Sequence, residues 1–194
     1  MKLPAIPLAA VALAFLLAEA GCQQADRTGS GGLTPESFNR LVAAPGDATP
    51  LNPKLAALPL WTNAVVHLVL TYVDGRKVVE DIPQTAKTVQ GRYVVFSTES
   101  KLYKSTMYSV LTYDTQASAF KIWALFGNVI TEGLSVVNFD KHIVATTSYY
   151  VGGFTELSVG SFSERESSER TFIYKDGKLF GTRDVTIKPD EATN

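Results

Sequence analysis

Cysteine is nearly absent from this chain of 194 residues, and Cys22 is the only one. A single cysteine excludes an intramolecular disulfide, so the fold must be held by apolar burial and hydrogen bonds. The chain also has no dominant charge, because it contains 18 lysine and arginine residues and 19 aspartate and glutamate residues. Without a basic excess, the composition predicts no nucleic-acid partner.

Metal ligands and catalytic motifs are scarce as well. The two histidines, His67 and His142, are far apart, and no His, Cys and Asp set has ligand spacing. His67 lies in an apolar stretch, which favours a hydrogen-bonded core histidine over a ligand. The chain has no Gly-x-Ser-x-Gly motif and no glycine-rich phosphate loop. We therefore predict no metal, no cofactor and no enzymatic activity.

No apolar run reaches the roughly 20 residues that a transmembrane helix needs. The longest run, residues 8–18, has 11 residues, follows Lys2 and ends in small residues. This pattern is typical of a signal peptide. The sequence therefore predicts a signal peptide over residues 1–21 and export to the cell envelope.

Two processing sites compete at the end of this segment. Residues 18–20 (Ala-Glu-Ala) fit the small-x-small rule of ordinary signal peptidase. Residues 20–22 (Ala-Gly-Cys) resemble the end of a bacterial lipobox, although Glu19 stands where the lipobox prefers leucine. That resemblance implies lipid attachment at Cys22 and a membrane partner through the lipid; cleavage after residue 20 is the alternative. Gln23 stands where similar lipoproteins of the inner membrane carry aspartate, which favours the outer membrane.

The segment after the cysteine reads as a tether. Residues 23–33 are of the Gly/Ser type that behaves as a flexible coil. Thr34 before a proline predicts a short helix through about Val42, and Asn52 before a proline predicts a second turn. The predicted division is a signal peptide at 1–21, a linker with short helical turns at 22–60, a β domain at 61–188 and a polar tail at 189–194.

From about residue 63 the apolar pattern has period two, which is typical of strands. Asp74-Gly75 between apolar runs is a strong hairpin signal. Pro83 is expected to end the second strand, and the charged run 163–170 is expected to be a solvated loop. About ten consecutive strands predict an all-β antiparallel meander, and closure into a barrel or curled half-barrel would remove its exposed edges. An open sandwich is the alternative. The predicted strands are 64–73, 76–82, 92–98, 104–113, 120–126, 134–139, 142–150, 154–162, 170–175 and 178–187.

Residues 91–126 run from a Gly-Arg-Tyr turn through a strand ending at Tyr113 to a strand containing Trp123. This segment resembles small bacterial β-barrel domains of the lipocalin and fatty-acid-binding type. The resemblance implies a curled barrel with an internal cavity but carries over no functional residue, since the Gly-x-Trp signature of lipocalins is absent.

Several strands carry Ser, Thr and Tyr beside apolar residues. Such mixed faces are typical of a ligand-holding barrel interior and also of a half-exposed sheet. The sequence therefore does not decide which face of each strand lines the interior. The ligand-binding candidates are Tyr108, Tyr113, Trp123 and Tyr149, for which packing is the alternative role. The leading hypothesis is an envelope lipoprotein that binds a small apolar or amphipathic ligand. The alternative is a structural or protein-interaction module of the outer envelope.

Overall fold

The computed structural model of the chain describes residues 32–101, 104–126, 129–150 and 152–193. Its main feature is a closed barrel of ten antiparallel strands, in which each strand pairs with its sequence neighbours and β1 pairs with β10. The prediction of an all-β barrel is therefore confirmed. The strands are β1 (Asn63–Tyr72), β2 (Lys77–Val89), β3 (Tyr93–Ser100), β4 (Ser105–Asp114), β5 (Ala119–Phe126), β6 (Val129–Asn138), β7 (Ile143–Tyr150), β8 (Phe154–Phe162), β9 (Ser167–Lys175) and β10 (Lys178–Pro189).

Two short helices precede the barrel, as predicted, namely α1 (Pro35–Ala43) and α2 (Pro53–Ala56). Thr34 begins α1 with a capping box: its hydroxyl accepts the Ser37 N–H at 3.2 Å, and its own N–H donates to the Ser37 hydroxyl at 2.8 Å. No helix among the described residues has the length and apolar character needed to cross a bilayer.

Helix α1 lies on the outside of the barrel. Phe38 is fully buried against apolar side chains of β2 to β5, including Val110, which alternates with lumen-facing residues of β4. Lys87 donates two hydrogen bonds of 2.6 Å to the carbonyls of Val42 and Ala44 and so satisfies the end of the helix. One apolar core of the protein therefore lies between the barrel wall and α1.

The second core closes one end of the barrel. Leu55 of α2 is fully buried against Val94, Leu111 and Phe120, which face the barrel interior where β3 and β5 begin and β4 ends. We call this the closed end. The opposite end, at which β1, β3, β5, β7 and β9 end, is called the mouth.

The expected strand break at Pro83 is wrong, because β2 continues to Val89. Ala86 donates its N–H to Thr62 on the β1 side, so strand alternation points the Pro83 nitrogen toward β3. Pairing of β2 with β3 begins only at Gln84. The missing N–H therefore removes no bond between these strands, as expected for a tolerated strand proline.

Two other strands begin earlier than predicted. β6 begins at Val129 rather than residue 134, and β9 begins at Ser167 rather than residue 170. The charged run expected to be a loop over 163–170 is therefore irregular only at 163–166. The residues at the start of β6 and of β9 that were not predicted as strand include polar side chains that face the barrel interior. At these positions the sequence lacks the period-two alternation of apolar residues by which strands are recognised.

Candidate functional site

The inward-facing side chains enclose two adjoining chambers. The inner chamber lies next to the closed end and has a volume of about 290 Å³, and the outer chamber lies next to the mouth and has a volume of about 510 Å³. Thr131, Tyr150, Glu156 and Arg183 line both chambers, and we call these four residues the belt. Volumes of a few hundred Å³ are typical of small-molecule sites.

A bidentate ion pair lies at the centre of the belt. Arg183 on β10 reaches past β9 to Glu156 on β8, with Nη1 3.2 Å from Oε1 and Nη2 2.7 Å from Oε2. The Tyr150 hydroxyl donates to Oε2 of the same carboxylate at 3.1 Å. The Arg183 side chain is 27% exposed and that of Glu156 is 12% exposed. The fork of the guanidinium thus fixes the carboxylate between the two chambers.

Burial and charge keep Tyr150 and Arg183 of the belt protonated. Burial, followed by the negative charge of Glu156, raises the pKa of Tyr150 far above its ordinary value, so the hydroxyl keeps its proton. Burial acts to lower the pKa of Arg183, but the charges of Glu156 and Glu169 outweigh it and raise that pKa. The Tyr150 hydroxyl and the Arg183 guanidinium are therefore both hydrogen-bond donors at neutral pH.

The inner chamber has one polar wall, built by hydroxyl groups. Ser158 and Thr171 are buried with their hydroxyl oxygens 3.0 Å apart, and Thr171 donates to Oε1 of Glu169 at 3.0 Å. Ser135 and Thr146 form a second hydroxyl pair at 2.8 Å. Ser135, Thr146 and Ser158 line the chamber, and Thr171 lies behind them. The apolar lining includes Phe96, Leu111, Phe120 and Ile122.

The outer chamber is apolar and ends in an aromatic rim. Phe180 makes edge contacts with Tyr72 and Phe154 at centroid distances of 5.6 Å and 5.4 Å. Phe180 and Val129, which both line the chamber, are exposed, so the chamber reaches solvent at the mouth. Leu70 lines the wall between the rim and the belt. An amphipathic molecule entering here would meet apolar surface first and polar groups deeper.

A β-bulge in β10 turns Phe180 into this rim. Leu179 pairs with Tyr174 and Gly181 pairs with the next residue of β9, which leaves Phe180 as an extra residue between them. Simple alternation from the inward Arg183 would point Phe180 outward. The bulge re-aims the ring over the outer chamber.

Three of the four aromatic candidates lie on the outer surface of the barrel. Tyr108 alternates with inward residues of β4 and is exposed, and Tyr149 alternates with the lumen-lining Tyr150 and is also exposed. Trp123 packs beneath α1, where its Nε1 donates to Oε2 of Glu132 at 3.0 Å. These three side chains have packing or surface positions outside the lumen.

Tyr113 is the candidate that faces inward. It packs in the core of the closed end, 5.0 Å from the Phe120 ring, and does not line either chamber. Cys22, the predicted signal peptide and nearly all of the predicted tether lie outside the described residues.

The expectation of a core histidine at residue 67 is wrong. His67 is exposed on the outer face of β1, with Nδ1 2.6 Å from Oδ1 of Asp81. Period-two alternation explains this position, because Val66 is buried and Leu68 lines the outer chamber. The ring therefore points away from both of its apolar neighbours.

Sequence reasoning missed the belt and Glu169. A signal was present in the alternation, since Arg183 shares a strand face with Ile187, and Glu156 shares one with Phe162. A single charge on an otherwise apolar face is informative only when that face is known to be interior. The expected loop over 163–170 also removed Glu169 from consideration.

Comparisons with known proteins show no family for this chain. No protein-family model and no curated protein matches the chain. A similar solved structure is that of a DUF3598-family protein of unknown function from Nostoc punctiforme, with 15% sequence identity and a TM-score of 0.49. The alignment covers 76% of this chain and 53% of that one, so the chain spans about half the length of that structure.

Proposed function

We propose that the barrel binds a small amphipathic ligand in its lumen, with the apolar part in the outer chamber and the polar group below the belt. The observation that carries the proposal is the order of surfaces along the barrel axis. An aromatic rim and an apolar chamber lead to the buried Arg183–Glu156 pair and then to the hydroxyl-lined inner chamber. Binding pockets combine mainly apolar walls with a few placed polar groups in this way.

The test compares two chemically identical substitutions. Thr131→Phe places a ring where the chambers meet, whereas Thr106→Phe adds the same ring on the exposed outer face of β4. Binding of an environment-sensitive apolar dye to the purified chain is measured by fluorescence titration. We expect Thr131→Phe to lose binding and Thr106→Phe to keep it. Equal dye binding by both variants would place the dye outside the lumen and refute the proposal.

We also propose that the chain is exported and anchored in the outer membrane through lipid on Cys22. Support comes from the apolar run at residues 8–18, the Ala-Gly-Cys sequence at 20–22 and the polar tether that follows. Stable anchoring needs more than one acyl chain, which a diacylated or triacylated cysteine supplies. A lipid anchor would hold the barrel near a source of amphipathic molecules.

Anchoring is tested by expressing the full chain beside Cys22→Ser and fractionating the cells. We expect wild type in the outer-membrane fraction, with an N-terminal peptide whose mass includes acyl chains. The serine variant should lose both properties. Equal solubility and unmodified N-termini in both proteins would show release after cleavage at residue 20.

A second candidate function is docking to another component of the envelope. Val73 and Leu179 are 65% and 46% exposed at the mouth and do not line the chambers. Exposed apolar side chains at one end favour a contact surface there. Crosslinking in intact cells through residues 73 and 179 should then capture a partner that is absent when crosslinks start from the closed end.

A further inference from the structure

The charges inside the barrel are unbalanced. Of the described residues that line the two chambers, Arg183 alone is basic, whereas Glu156 and Glu169 are acidic. One positive group against two negative groups leaves the lumen with a net negative charge. In a partly dehydrated lumen such an excess acts strongly on any charged ligand.

The guanidinium of Arg183 is already paired with a carboxylate of the barrel itself. Both terminal nitrogens of Arg183 donate to the two oxygens of Glu156, and Tyr150 donates to the same carboxylate. A carboxylate ligand could form the same bidentate pair only by displacing Glu156. The displaced Glu156 would then be a buried and unpaired charge, which is costly.

Glu169 faces the inner chamber and forms no ion pair with another described residue, although the charges of Glu169 and Arg183 attract each other. Its Oε1 accepts the hydroxyl hydrogen of Thr171 at 3.0 Å. The hydroxyls of Ser158 and Ser148 line the same chamber and can accept hydrogen bonds. An ammonium group has three donors and no acceptor, so it matches one carboxylate surrounded by hydroxyls.

Resting on the proposed lumen site, we propose that the ligand carries a cationic hydrogen-bond donor, a primary ammonium on an apolar tail, which lies against Glu169. The lumen accepts a neutral hydroxyl head group less well and rejects a carboxylate. The barrel therefore prefers positively charged amphiphiles to negatively charged ones. A site built around a free arginine would have the opposite preference.

The experiment uses three ligands with one ten-carbon tail and different head groups: decylamine, decanol and decanoate. Each is titrated against the full chain at pH 7, below the micelle concentration of decylamine and decanoate and below the solubility limit of decanol. Displacement of the lumen dye gives the affinity. We expect decylamine to bind most tightly and decanoate to bind at least about tenfold more weakly than decylamine.

A matched pair of variants assigns the preference to one residue. Glu169→Gln keeps an oxygen that can accept from Thr171 but removes the charge. Glu164→Gln changes the net charge equally at an exposed position in the 163–166 loop. We expect Glu169→Gln to weaken decylamine binding about tenfold, strengthen decanoate binding and leave decanol unchanged, whereas Glu164→Gln should behave as wild type.

The outcomes separate the two proposals. If decanol binds but decanoate binds as tightly as decylamine, the charge selection is refuted while the lumen site stands. Selection by Glu169 is also refuted if Glu169→Gln leaves the amine preference unchanged. If none of the three ligands displaces the dye, both proposals fall.

Discussion

Removing one partner of the Arg183–Glu156 pair should destabilise the barrel more than removing both. Arg183→Met replaces the guanidinium with an apolar side chain and leaves the Glu156 carboxylate, 12% exposed, without its counter-charge. Loss of one partner of a buried pair costs about 3–5 kcal/mol. Because Arg183 is itself 27% exposed, some water can reach the site, and we expect the lower end, about 3 kcal/mol.

The double variant Arg183→Met with Glu156→Gln should recover most of this loss. Glutamine keeps an oxygen that can accept from the Tyr150 hydroxyl, and residue 156 no longer carries a charge without a partner. Replacement of a buried ion pair by neutral groups is often close to neutral for stability. We expect the double variant to exceed Arg183→Met by about 2 kcal/mol in the free energy of unfolding.

The assay is urea denaturation of all four proteins of the cycle at pH 7, followed by circular dichroism. Linear extrapolation gives the free energy of unfolding of each protein, and the cycle isolates the coupling of the two side chains. A loss below about 1 kcal/mol in Arg183→Met would refute the view that the pair is shielded from water. So would a double variant whose loss equals the sum of the two single losses.

Three further outcomes follow from other parts of the barrel. In the folded protein the pKa of Tyr150 lies above its ordinary value of 10.0. The protonated hydroxyl therefore stabilises the fold fully below pH 10, and this contribution decreases above pH 10 by up to about 1.4 kcal/mol per pH unit. Tyr150→Phe should accordingly lose less unfolding free energy between pH 9 and pH 11 than wild type. Gly181→Ala would place a methyl carbon 2.7 Å from the Thr71 carbonyl oxygen, so the bulge must shift; we expect a loss of about 1–3 kcal/mol in urea and weaker dye binding as Phe180 leaves the rim. Phe38→Ala should cost about 3 kcal/mol in the same assay, because it removes a fully buried ring between α1 and the barrel wall.

Local signals were sufficient for the strands and for the architecture. Alternation and turn residues such as Asp74-Gly75 act over a few residues, and consecutive hairpins leave few topologies other than a meander. Errors arose where the interior is polar, as at the start of β9, because an inward Glu169 breaks the apolar period. The error at Pro83 arose because the proline is tolerated only where it lies outside the part of β2 that pairs with β3, and that register is not visible in the sequence.

The candidate site could not be derived in the same way, because it depends on curvature. Arg183 and Glu156 are 27 residues apart and lie on strands separated by β9. Their side chains meet only because the sheet curves enough to bring them together over its concave face. The direction of that curvature also decides that Tyr150 is inside and Tyr149 outside, and neither residue type carries that information.

The position of the two apolar cores explains how the barrel can keep an unfilled and partly polar interior. Barrels of about eight strands are just wide enough for side chains to fill, and a ten-strand barrel is wider. Instead of filling this space, the chain buries Phe38 outside the wall and Leu55 in the closed end. These contacts stabilise the fold at a distance from the belt, so the lumen can hold an ion pair and hydroxyl groups in place of a packed apolar core. Residues 33–60, which precede the barrel in sequence, therefore leave the space above the closed end available for a ligand.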